Sequence, residues 1–296
     1  MDLKNFTARV QARLRRSIAN RLEALDRGYL RWRSSRLMFG DFNRPLRANR
    51  VNVYYWRPAV SDNVGDLISL VLVRSVAESL GLDFDRKLPQ TRKLFAVGSV
   101  LEMAVAGATV WGSGLRHPIL APHGLALDIR AVRGPLTRQA LAHIGYACPE
   151  VYGDPAVLLP RFYAPRPVPR RRFLVVPHFL KERDLLARHP GNAVSTLTSD
   201  WRGFVDAIAG ADLVVSGSLH GIVLAEAYGV PAILLAGAMD QERFKYDDYY
   251  LGTGRARYDV AHTVEEALAL GGQPLPALGP IQDGLMDAFP ADLWKP

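Results

Sequence analysis

ADLVVSGSLHGIVLAEAYGVPAILLAG, residues 211–237, decides the fold class. Asp212–Ser216 is a short apolar run with valines at its centre, the composition of a buried strand. Ser216, Gly217 and Ser218 turn the chain, a helix follows over His220–Tyr228, and Pro231–Leu235 is a second buried strand. A strand, a small-residue turn, a helix and another strand make a βαβ unit, which implies a parallel sheet covered by helices. Small residues at a strand-to-helix turn let backbone N–H groups converge on a ligand, and the helix N-terminus favours an anion. His220 therefore stands at the carboxyl edge of the sheet, where such proteins bind ligands. The plainer alternative is a histidine at an ordinary βα turn.

The same alternation extends to both sides. Upstream in this half, strands are expected at Arg172–Pro177 and near Ala193–Leu197, with a helix over Asp200–Ala209. Earlier still, strands are expected at Val51–Tyr55, Leu94–Val97, Ala108–Trp111 and Leu125–Val132. Helices are expected at Asp66–Leu80, closed by Gly81, and at Pro135–Ile144, closed by Gly145. The segment RFYAPRPVPRRR, 161–172, lacks periodicity and reads as a linker. The expected architecture is α/β, with two Rossmann-like domains facing across a cleft as in GT-B glycosyltransferases: 51–165 on the acceptor side and 166–296 on the donor side. After a helix at Val264–Leu270 the tail reads as a Pro- and Gly-rich stretch.

The charge is concentrated at one end. Residues 1–50 hold 13 Lys and Arg against 4 Asp and Glu, a net of +9, whereas the other 246 residues hold 24 against 25. Leu3, Phe6, Val10, Leu14, Ile18 and Leu22 recur at helical spacing among Arg9, Arg13, Arg15, Arg16 and Arg21, with Tyr29, Leu30, Trp32 and Leu37 beyond. This basic amphipathic extension suits an anionic membrane surface, or a helix packed on the body or on a second subunit. The near-neutral body argues against nucleic acid, which needs a continuous basic surface. No transmembrane run and no signal peptide is evident, so the chain is expected in the cytoplasm. The single cysteine, Cys148, excludes an internal disulfide and reads as a buried small residue rather than a nucleophile.

Three further segments carry chemistry. In SDNVGDLISLVL, 61–72, Asn63 and Gly65 form a turn, and Asp66 opens a helix either as an N-cap, a role that stabilises by about 0.5–2 kcal/mol, or as an acid–base group. In AVRGPLTRQAL, 131–141, Arg133 ends a strand at the ligand-facing edge; its guanidinium suits a carboxylate or phosphate, or else a surface ion pair. In ERFKYDDYYLGTGR, 242–255, a loop offers Lys245 to an anion or simply covers the site. Ser99 and Ser113 follow two of the strands directly. Walker A, GxGxxG, GxSxG and HExxH motifs are absent, and Asp247–Asp248 is only a weak substitute for the DxD that holds a sugar nucleotide's metal. ATP, NAD, serine-hydrolase and zinc chemistries are not expected, and no metal site is assigned.

NVGD at 63–66, VRGPLT at 132–137, YGDPAVLL at 152–159 and SGSLHGIVLAEAYGVPAI at 216–233 follow one another as they do in the polysaccharide pyruvyl transferase family. The chain resembles that family over about residues 50–250, and within it the bacterial exopolysaccharide ketal pyruvate transferases. The resemblance implies transfer of pyruvate from phosphoenolpyruvate to two hydroxyls of one sugar, with release of phosphate and no resident cofactor. It implies catalytic roles for His220 as acid or phosphate contact, Asp66 as base, and Arg133 as donor holder. On the same basis Ser216, Gly217, Ser218, Leu219, Lys245 and Arg116 would bind the donor, and Asn63, Gly65, Ser99 and Ser113 the acceptor. Many members carry Arg where this chain has Ser218, so one expected cation is missing; Lys245, Arg116 and Arg255 are the candidates to replace it. The acceptor would be a lipid-linked oligosaccharide, with residues 1–40 holding the enzyme peripherally at the inner membrane. Two rival readings are a GT-B glycosyltransferase using a nucleotide sugar, with Glu226 on the ribose, and a non-catalytic nucleic-acid-binding protein.

Overall fold

The computed structural model describes residues 49–57, 61–236 and 243–296. The basic extension expected over 1–50 therefore lies outside the described residues, apart from its last two. Residues Arg44–Pro296 form one compact unit.

That unit holds two parallel four-stranded sheets. The first runs in chain order: β1 (Val51–Tyr54), β2 (Arg92–Phe95), β3 (Ala108–Trp111) and β4 (Leu127–Ala131). In register, Val53 faces Leu94, Leu94 faces Thr109 and Val110 faces Ile129. The second sheet is β5 (Leu174–Val176), β6 (Val214–Ser216), β7 (Ala232–Leu235) and β8 (Val260–Ala261). Its strands are apolar at successive positions because both faces are covered. Val175, Val215, Ile233 and Leu235 form a small core with Val264 and Ala267, while Leu174, Val176, Val214, Ala232 and Leu234 join the main core. That main core is continuous from Val51 and Leu94 of the first half to Val223 and Leu234 of the second.

The helices are α1 (Val64–Ser79), α2 (Pro135–His143), α3 (Glu182–Arg188), α4 (Trp201–Ala209), α5 (Leu219–Ala227), α6 (Arg243–Gly252), α7 (Val264–Leu270) and α8 (Gly279–Asp287). A 3-10 helix, Pro155–Arg161, packs against both α1 and α5 and so lies between the halves. The strand expected near Ala193–Leu197 is reduced to isolated bridges, Ala193 to Val175 and Leu197 to Asn63. The 242–255 loop is helical from Arg243, and the Pro- and Gly-rich tail contains α8, with Pro280 in its first turn where a missing N–H costs no helical bond.

The tail does not stay with the second half to which the 166–296 boundary assigns it. Trp111 on β3 donates its indole N–H to the Leu285 carbonyl at 2.8 Å and meets Phe289 edge-on at 5.0 Å between ring centroids. Phe289 stacks on Trp294, whose indole N–H points to the Phe84 carbonyl at 3.4 Å. The chain thus returns to cover the first sheet with two large aromatic rings, Phe289 and Trp294, packed at Trp111.

Candidate active site

Three helix starts converge at the carboxyl ends of the sheets, and each contributes one ionisable group. At α1 the cap is Asn63, whose side-chain oxygen accepts from the backbone N–H of Gly65 (3.1 Å) and Asp66 (3.4 Å). The helix therefore begins two residues before the expected Asp66, and capping does not explain the Asp66 carboxylate. At the 3-10 helix the cap is Asp154, accepting from the Ala156 N–H at 3.0 Å through Oδ1. At α5 the helix begins at Leu219, with Ser218 at the cap position and His220 in the first turn.

Two glycines bring these groups together by having no side chain. A Cβ on Gly65 would lie 2.0 Å from His220 Nδ1, and one on Gly98 would lie 2.8 Å from Asp66 Oδ1 and 3.5 Å from His220 Cε1. Gly98 also has φ +99°, which other residues rarely adopt. His220 Nε2 then faces Asp154 Oδ2 at 3.7 Å. Asp66, Asp154 and His220 are all buried.

The electrostatics follow from burial. Removing Asp66 from water pushes its carboxyl up to about 6; Asp154 adds to the rise, and His220, Lys245 and Arg116 oppose it. A carboxylate held there is ionised at neutral pH and still basic enough to take a proton in a reaction. Tyr54, at the end of β1 and stacked on Phe95, has its phenol pushed up by burial and by the charges of Asp66 and Glu102. Lys245 is buried on α6, and Arg116 is half-exposed and ion-paired with the buried Glu102.

The other expected site residues are tied into the scaffold. Arg133 is fully buried: Nε donates to Asp248 Oδ2 at 3.0 Å, Nη2 to the Leu115 carbonyl at 2.6 Å, and Nη1 to Ser99 Oγ. Asp248 also accepts from the N–H and hydroxyl of Thr137. Arg133 thus fastens the end of β4 to α6, the helix that carries Lys245, and is not a surface group reaching outward. Ser113 donates to the Gly98 carbonyl at 3.0 Å. Ser216 Oγ is buried between the Val176 and Ser218 carbonyls and accepts the Ser218 N–H. The Gly217 carbonyl accepts from the Tyr246 hydroxyl at 2.8 Å, and the Leu219 side chain is part of the core.

Two candidate roles lose their residues. Arg255 binds Glu226 through both ends of its guanidinium, at 2.6 and 2.7 Å, and the Tyr249 hydroxyl donates to the same carboxylate. Arg255 is therefore not free to replace the cation missing at Ser218, and Glu226 is not available to a ribose. Asp247 and Asp248 face different partners, Tyr258 and Arg133, so they do not form a metal-holding pair. Cys148 is half-buried rather than buried, and its thiol is pushed up to about 11, mainly by burial, which removes it as a nucleophile.

Asp154, Tyr54 and Glu102 were not singled out by the sequence. The available signal was YGDPAVLL at 152–159, one of the segments shared with the family; an aspartate before a proline looks like a cap, as this one is, and its second oxygen gives no trace in the sequence.

A family model described as polysaccharide pyruvyl transferase matches residues 124–237, a span that contains Arg133, Asp154 and His220. Over 236 residues the chain is 32% identical to the succinoglycan biosynthesis protein ExoV of Rhizobium meliloti (strain 1021), an alignment covering 74% of this chain and 71% of that protein. Among solved structures, the glycosyltransferase SnogD from Streptomyces nogalater aligns over 72% of this chain at 14% identity. The chain spans 55% of that structure's length with a TM-score of 0.24, too low to speak for a common fold. On the identity and coverage with the succinoglycan protein, together with the family match across the βαβ unit that carries His220, the chain belongs to the polysaccharide pyruvyl transferase family and is a transferase enzyme.

Proposed function

We propose that the enzyme transfers pyruvate from phosphoenolpyruvate to two hydroxyls of one sugar in a lipid-linked exopolysaccharide repeat unit, forming a cyclic ketal. The observation that supports this most is the meeting of Asp66 with His220, with Lys245 and Arg116 acting on the same carboxylate. Phosphoenolpyruvate bears a carboxylate and a phosphate, and these cations and the α5 N-terminus suit both. In the reaction C3 of the donor gains a proton, and C2 becomes the ketal carbon by bonding to two sugar oxygens. Phosphate departs with the C2–O bond, and the two hydroxyl protons end on C3 and on phosphate. Asp66 takes a hydroxyl proton, and His220 gives one to the donor or holds the departing phosphate. Arg133 acts by fixing α6, and with it Lys245.

On this reading the donor lies at the second sheet and the acceptor at the first, a GT-B-like division of labour between the two parallel sheets. No helix among the described residues is long and apolar enough to cross a membrane. The +9 charge of residues 1–50 supports attachment of a cytoplasmic enzyme to the anionic inner-membrane surface, where a lipid-linked acceptor would be found.

The test is a thermal-shift titration of the full chain with phosphoenolpyruvate beside UDP-, GDP- and ADP-sugars. Ligand at 100 times its Kd stabilises a native state by about 2.7 kcal/mol, enough to move the midpoint by several degrees. A shift with phosphoenolpyruvate that is lost in His220→Ala is the expected result. A shift with a nucleotide sugar alone overturns the proposal.

A further inference from the structure

We propose that Asp154 is the positioning residue of this site, holding a proton on Nε2 of His220 and so deciding which face of the imidazole is left to act. The argument begins with two buried polar atoms. Asp154 Oδ2 and His220 Nε2 are both shielded from solvent and, among the described residues, neither has a hydrogen-bond partner. They face each other at 3.7 Å, a few tenths of an ångström beyond hydrogen-bond distance. Orphaned buried polar atoms are rare because each costs about 1–3 kcal/mol, and two that face one another satisfy both with a small approach.

The carboxylate cannot turn away. Its Oδ1 is held by the Ala156 N–H at 3.0 Å at the cap of the 3-10 helix, and that helix is wedged between α1 and α5. The remaining oxygen only accepts, so the nitrogen facing it must carry a proton. The imidazole is equally confined, since its Nδ1 side lies against Gly65. Asp66 from α1 feels both members of this pair, and it also feels Lys245 from α6 and Arg116, which is itself paired with Glu102. With Nε2–H directed at Asp154, the neutral ring presents its lone pair at Nδ1, on the side of Gly65, and the doubly protonated ring presents there the Nδ1–H that His220 can give. A buried carboxylate that orients a catalytic histidine in this way sets its tautomer without contacting substrate.

That His220 acts on the substrate rests on the function proposed above; the pairing itself does not. The test is therefore made first on ligand-free full-length protein. Nitrogen-15 shifts of the imidazoles, with His220 assigned by comparison with His220→Gln, report which nitrogen carries the proton. The expected wild-type result is the Nε2–H form; a neutral ring protonated on Nδ1 overturns the proposal. Asp154→Asn keeps the cap oxygen for Ala156 and turns an NH2 donor toward Nε2, so the neutral ring should switch to the Nδ1–H form. An unchanged Nε2–H tautomer in a folded Asp154→Asn protein also overturns it. If that variant does not fold, the wild-type spectrum alone decides. In turnover assays, Asp154→Asn should lower kcat at least tenfold with little change in the KM for phosphoenolpyruvate. A switched tautomer with unchanged kcat would keep the pairing and instead count against the role given to His220.

Discussion

His220 fits where it does because Gly65, on the other half of the chain, has no side chain: a Cβ there would stand 2.0 Å from Nδ1 of the imidazole. The contact joins the first turn of α1 to the first turn of α5, and so brings Asp66 beside the histidine. Gly65→Ala should push the ring out of its place. Overpacking of this kind costs about 1–3 kcal/mol, and displacement of a reacting group by about 1 Å costs roughly 100-fold in rate. Chemical denaturation and steady-state kinetics on the variant check both, and more than a tenth of wild-type activity would contradict the assignment.

Asp66 should show its burial in the pH dependence of both activity and stability. As a base with its carboxyl near 6, it becomes ineffective as pH falls through that value, so kcat/KM should have an acid limb there. The stability effect has the opposite sense. The folded state holds the proton more tightly than the unfolded chain, so ionised Asp66 destabilises the protein, and stability falls as pH rises from about 4 to about 6. At about 1.4 kcal/mol per unit, Asp66→Asn should gain about 3 kcal/mol at pH 7 and nothing below pH 4, while losing 100-fold or more in kcat. Urea unfolding at pH 4 and pH 7 separates this from a cap role, which Asn63 already fills.

Arg133→Ala should be primarily a stability lesion. Removing one partner of a buried ion pair costs about 3–5 kcal/mol because the other charge is stranded, and here the stranded group is Asp248, inside α6. Arg133→Lys keeps a charge but not the three-way grip on Asp248, Ser99 and Leu115, and should also lower the melting temperature. A lysine variant of wild-type stability with weakened phosphoenolpyruvate binding would show that Arg133 holds the donor directly.

Glu226→Gln removes the charge that binds Arg255 bidentately and accepts from Tyr249. The expected outcome is a loss of a few kcal/mol in stability, with the Kd for phosphoenolpyruvate within about twofold of wild type in the folded protein. Isothermal titration decides. A large change in affinity without a change in stability would bring Glu226 back as a ligand contact.

Deletion of residues 1–40 should abolish sedimentation with phosphatidylserine-containing liposomes at low salt, and leave transfer to a soluble acceptor unchanged. Binding that is unaltered by the deletion would remove the membrane role.

The strands were legible because burial on both faces leaves apolar runs, as in Leu174–Val176 and Ala232–Leu235. Helix α6 was not. Its buried residues include Lys245, Tyr246, Asp248 and Tyr249, groups that water would normally hold at the surface. Tyr246, Asp248 and Tyr249 are inside because their partners, Gly217, Arg133 and Glu226, lie 23 to 115 positions away, beyond any local pattern. Helix α8 escaped for a related reason: Gly279 and Pro280 look like a break, and the helix is held by Trp111 and by the 3-10 helix Pro155–Arg161.

By itself, then, the sequence determined the α/β alternation and the family, and it marked Asp66 and His220 as candidates, because periodicity and turn chemistry are properties of neighbouring residues. Tertiary structure alone decided which charges face the site and which brace it. Arg133 and Arg255 read as available cations, yet both are held in ion pairs within the body, whereas Asp154, given no role within its motif, stands against the histidine. A charged group's role depends on what lies within a few ångströms once water is excluded, and that is set by how the two sheets and their helices come together.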